Sequence, residues 1–124
     1  MNISEFIPAD SFVIDGYGDG QFCVRGVWHA GAQFVFPDAL VPWGTGAFED
    51  LTIGDFAPIL ERAGQIDILL FGTGARNRLV PKALRQPLRE AGVVVDGMDT
   101  GAACRTYNVL LTEGRRIAAA LLPV

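Results

Sequence analysis

An alternation in the second half of the chain constrains the fold most. Three apolar runs, Ile66-Asp67-Ile68-Leu69-Leu70-Phe71, Val93-Val94-Val95 continuing to Met98, and Arg116-Ile117-Ala118-Ala119-Ala120-Leu121-Leu122, are separated by two stretches of helical spacing. Runs this short and this apolar suit strands buried on both faces, as parallel sheets require. In the first intervening stretch Pro81 starts a helix whose Leu84, Leu88 and Ala91 share a face, and Gly92 ends it. Pro87 lies inside that helix and removes the bond to Ala83, which predicts a kink or a break. The second stretch spans residues 101–113, with Ala103, Tyr107, Leu110 and Leu111 as its core face and Gly114 as its stop. Strand, helix, strand, helix, strand is a right-handed β-α-β-α-β crossover pattern. Residues 66–71, 93–98 and 116–122 are therefore expected as neighbouring strands of one sheet.

The first half reads as antiparallel β structure. Ser11–Asp15 forms a short strand, and Gly16-Tyr17-Gly18-Asp19-Gly20 reads as a hairpin loop rather than a phosphate cradle. Gln21–Trp28 resumes the strand, His29-Ala30-Gly31 turns it back, and Gln33–Phe36 follows. Phe56, Ile59, Leu60 and Ala63 then fall on one helix face, with Asp55 as N-cap and Gly64 as the residue after the helix. The expected fold is α/β, one three-layer domain over residues 1–124. Its mixed central sheet has a parallel C-terminal part, and the N-terminal hairpins form an extension or second layer.

Composition removes several functions. Half of the 124 residues are apolar and 19% are charged, which supports a packed core and opposes disorder. No apolar run approaches the ~18 residues of a spanning helix. Met1–Phe6 resembles neither a secretory signal nor an Arg-rich transit peptide, so a bacterial, cytoplasmic chain is expected, with Cys23 and Cys104 unpaired. Two cysteines and the lone His29 cannot supply a four-ligand zinc site, and no metal or cofactor is expected. Ser4 and Ser11 are the only serines, and nothing resembles Gly-x-Ser-x-Gly. Residues 1–75 carry ten acids against Arg25 and Arg62, whereas residues 76–124 carry eight bases against four acids. Either the halves neutralise each other across the fold or the basic half meets a protein partner. A pI near 4.8 speaks against nucleic acid.

Candidate chemistry sits beyond the carboxyl ends of the parallel strands, where open α/β sheets gather ligands. Gly72, Thr73, Gly74 and Arg76 follow the first of these strands, and Thr100 and Arg105 follow the second. Glycines without side chains, a helix N-terminus and two arginines could hold an anion there. The alternative is a plain tight turn, because Asn77 stands where a dinucleotide fingerprint needs its third glycine. Cys104, beside Arg105 in the first turns of the helix, is either an activated thiol or a small buried residue. Trp43 is either a core plug or part of an apolar contact patch with Val41 and Pro42.

Two stretches carry a family resemblance: Leu70-Phe71-Gly72-Thr73-Gly74, and Met98-Asp99-Thr100-Gly101-Ala102-Ala103-Cys104-Arg105-Thr106-Tyr107-Asn108-Val109-Leu110-Leu111 with Glu113–Leu121 behind it. They resemble the Mth938-like family of small uncharacterised proteins, which includes the mitochondrial complex I assembly factor three. The resemblance implies a mixed central sheet with a second β layer. It also implies a non-enzymatic, chaperone-like binding protein for a respiratory or membrane complex, and it supplies no catalytic residue. The competing expectation is a small enzyme or metabolite-binding protein that uses the anion rim.

Overall fold

A five-stranded mixed sheet forms the middle of the protein, which the computed structural model describes over residues 11–44 and 47–124. Three strands at the start, β1 (Ile14–Gly18), β2 (Gln21–Val24) and β3 (Val27–Ala30), make a separate antiparallel sheet. The central sheet takes β4 (Gln33–Phe36), β5 (Ala39–Pro42), β6 (Ile68–Gly72), β7 (Val94–Met98) and β8 (Ile117–Leu121), in the order β5-β4-β8-β6-β7. Strand β8 pairs antiparallel with β4 and parallel with β6, and β6 pairs parallel with β7. The three apolar runs are therefore neighbours, with β6 between the other two. Helices α1 (Ala57–Glu61), α2 (Lys82–Glu90) and α3 (Thr100–Thr112) complete the fold.

Alternation along the strands divides the core. Phe34, Phe36, Leu69, Phe71, Ala118 and Ala120 face Ile59 of α1 and Leu84 and Leu88 of α2. Val35, Leu70, Ile117, Ala119 and Leu121 face α3 and the small sheet. Every residue of β8 is buried, so this alanine-rich segment is a two-faced strand despite its helical composition. Helix α3 ends in the hydrogen bonds of a Schellman motif. Gly114 adopts φ 70°, its N–H donates to the Leu111 carbonyl, and the Arg115 N–H donates to that of Leu110.

The first half differs from the sequence reading in detail. Gly16 and Gly18 lie inside β1, and the turn is only Asp19-Gly20, with φ of 53° and 74°. The second turn is Arg25-Gly26 at 53° and 78°, so Gln21–Trp28 divides into two strands. Both pairs have the positive φ values of the tight hairpin turn whose twist matches paired strands, and the Asp15 carboxylate accepts the Gly26 N–H at 2.8 Å. Asp55 is not the N-cap either. It accepts the Thr52 N–H at 2.8 Å from within a 3-10 turn, Ile53–Phe56, and α1 follows that turn. Helix α2 continues through Pro87. The carbonyl that loses its donor belongs to Ala83, which is exposed, so water can donate to it instead.

Asn108 of α3 fastens the small sheet. Its Oδ1 accepts the Ile14 N–H at 3.0 Å and its Nδ2–H donates to the Ile14 carbonyl at 2.7 Å. From the preceding position, the hydroxyl of the buried Tyr107 donates to the Phe12 carbonyl at 3.0 Å. Asn108→Ala should therefore cost about 1–3 kcal/mol in chemical denaturation. It should also speed exchange of the Ile14 amide; an unchanged Ile14 amide would refute the clamp.

Candidate functional site

The carboxyl ends of β5, β6 and β8 open onto one cavity of about 860 Å³. Its wall is largely apolar: Trp43, Phe48, Ala32, Pro42, Leu122 and Pro123. The indole of Trp43 stacks on Phe34 with centroids 4.5 Å apart and meets Phe56 edge-on at 5.1 Å. Trp43 is thus a core plug that also lines the cavity. Its Nε1 is buried and has no acceptor among the described residues.

The six candidate rim residues separate into three groups. Thr73, Gly74 and Arg76 line the cavity. Thr73 is buried and spends its hydroxyl on the loop, accepting the Arg78 N–H at 3.0 Å and lying 2.8 Å from the Arg76 carbonyl. Gly72 and Thr100 do not line it, because they are packed against each other. A Cβ on Gly72 would lie 2.9 Å from Thr100 Cα and 3.1 Å from Leu121 Cδ2. The Thr100 hydroxyl donates to the Leu122 carbonyl at 2.8 Å and accepts the Gly74 N–H at 2.9 Å, sewing α3 to the loop after β6. Arg105 sits elsewhere, its Nη1 donating to the Tyr17 hydroxyl at 3.2 Å. Asp99 caps α3 by accepting the Ala102 N–H at 2.9 Å, so the positive end of that helix already faces its own carboxylate.

Sequence spacing did not single out Arg78, Glu49 or Phe48. The Arg78 guanidinium pairs with the Glu49 carboxylate and lies 5.2 Å from the Phe48 ring centroid. A hydrogen bond to its own backbone, and then the Arg78 guanidinium, hold the Glu49 carboxyl below its ordinary value. The partners are 29 residues apart, and no local pattern could have joined them. Arg76 is exposed and meets no carboxylate at ion-pair distance among the described residues.

Cys104 is buried between α3 and the sheet, and burial pushes its thiol up to about 12, against a small opposing pull from Arg105. Cys23 is also buried and free. A thiol whose folded pKa lies above the unfolded value contributes stability that is complete below about 9 and lost as the pH rises toward 12. The urea midpoint should fall across that window, and Cys104→Ala should flatten part of the fall. Rapid alkylation of Cys104 in the native protein at neutral pH would contradict this.

The profile of a family described as protein of unknown function (DUF498/DUF598) matches residues 14–122. An uncharacterized protein of Rhodobacter capsulatus is 46% identical over 94% of this chain and 88% of its own. The human NADH dehydrogenase [ubiquinone] 1 alpha subcomplex assembly factor 3 is 33% identical over 93% of this chain. The match spans only 62% of that protein. Among solved structures, one described as an outer membrane protein from Bartonella henselae superposes with TM-score 0.86 and 37% identity, over 94% of this chain and 98% of that one. A Bordetella pertussis protein described as a Mth938-like domain gives 0.76 and 31%, over 90% and 85%.

Proposed function

The chain belongs to the DUF498/DUF598 family, and from that membership we propose that it is a non-catalytic binding protein that assists the assembly of a respiratory complex of the NADH dehydrogenase type. The observation that carries this reading is the likeness to the human assembly factor over nearly the whole chain. The chain spans about three fifths of that relative's length, so its role is proposed for the shared region alone.

Helix α2 offers a surface suited to such work. Lys82, Arg85 and Arg89 are exposed at positions that share one face, opposite the buried Leu84 and Leu88. None of the three meets a carboxylate among the described residues. Leu79, 86% exposed, lies in the loop that leads into α2. Three cations outside ion-pair distance of any carboxylate, with Glu90 alone opposing them in the same depression, fit an acidic surface on a protein partner. No helix among the described residues is long and apolar enough to cross a membrane. The compartment that goes with this reading is the cytoplasm, and two free thiols fit its reducing conditions.

Affinity purification of the tagged full chain from its native cell, followed by mass spectrometry, tests the proposal. Subunits of an NADH dehydrogenase should be enriched over an untagged control. Joint replacement Lys82→Glu, Arg85→Glu and Arg89→Glu should reduce that enrichment by about tenfold, while leaving the melting temperature nearly unchanged because all three side chains are exposed. Enrichment of no respiratory subunit would overturn the assembly role.

A further inference from the structure

We propose that the cavity at the carboxyl ends of β5, β6 and β8 binds a small organic carboxylate with an apolar body, held by Arg76 at its mouth and packed against the wall that Trp43 and Phe48 provide. The site is independent of the α2 surface, and either can fail alone.

Two observations converge on this cavity. Its volume, about 860 Å³, lies in the range of small-molecule sites, and its walls are mostly aliphatic and aromatic with few polar groups. Trp43, 5% exposed, contributes its ring to that wall, because its Nε1 is closed off from the cavity. The charges at the mouth favour an anion. Glu49 is the one carboxylate among the described lining residues; it pairs with Arg78 and feels Arg76 more weakly, so two guanidinium groups face one carboxylate and the mouth keeps a net positive charge. Guanidinium and carboxylate match in geometry as well as charge.

The same observations set the ligand class. Inorganic phosphate would satisfy Arg76 but leave the Trp43 and Phe48 walls uncovered. A nucleotide would bring several charges to a cavity whose described lining residues carry two guanidinium groups against one carboxylate. A monocarboxylate with a ring or short chain covers the apolar wall and meets one guanidinium.

The protein carries two tryptophans, so its nitrogen–proton correlation spectrum should show two indole signals. Trp28 is 54% exposed, lies outside the cavity lining, and serves as the internal reference, assigned through Trp28→Phe. Titration with benzoate to tens of millimolar should shift the Trp43 indole and the Gly74–Arg76 amides together, along one saturating curve. Inorganic phosphate should bind more weakly and move mainly the Arg76 amide. Arg76→Ala, an exposed site, should weaken benzoate binding by about tenfold. Arg105→Ala, which alters the contact with Tyr17, should leave it unchanged. The proposal fails if benzoate leaves the Trp43 indole unmoved, if Arg76→Ala binds benzoate as the parent does, or if the shifts gather on α2.

Discussion

Everything in this fold leans on β8, a strand with water on neither face. Ala118, Ala119 and Ala120 are fully buried, and they alternate between the two halves of the core. Methyl-sized side chains let α3 and the aromatic cluster approach the sheet closely, where larger residues would overfill a close-packed interior. The strand also joins two pairing modes, antiparallel to β4 and parallel to β6. Because β5 runs antiparallel to β4, the carboxyl ends of β5, β8 and β6 emerge on one side. The cavity lies on that side.

The groups beyond those strand ends divide into those that hold the structure and those left free. Thr100, Thr73 and Asp99 spend their polar atoms within the protein, on the Gly74 N–H, the Arg78 N–H and the Ala102 N–H. Gly72 is a packing residue, since Thr100 occupies the space a side chain would need. Arg76 on the loop and the cation row of α2 keep their charge available. A rigid floor with arginines around it suits recognition of a negatively charged group. Burial keeps the Cys104 thiol protonated.

Much of the architecture was legible because it is periodic. The three apolar runs and the helical spacing between them identified β6, β7, β8, α2 and α3. Reading Ile117–Leu121 as a strand required setting its neighbours above alanine's helix propensity. Turn positions were less legible. Arg25 adopts φ 53° although its type carries no turn signal, and Asp19-Gly20 was hidden within a glycine-rich stretch, Gly16–Gly20, that reads as loop throughout. The site was half legible. Strand-end logic grouped Thr73, Gly74 and Arg76, which the fold places along one cavity, whereas Arg105, grouped with them by chain proximity, leaves α3 toward Tyr17. The Arg78–Glu49 pair and the Asn108 clamp link segments 29 and 94 residues apart, a separation that no local pattern bridges.

Native-state hydrogen exchange followed residue by residue tests the central role of β8 most directly. The amides of Ile117–Leu121 and Ile68–Gly72 should exchange only through global unfolding, with the largest protection in the protein. The β1–β3 sheet, held by short hairpins and the Asn108 clamp, should open at lower free energy. Equal or greater protection in β1–β3 than in β8 would contradict this account.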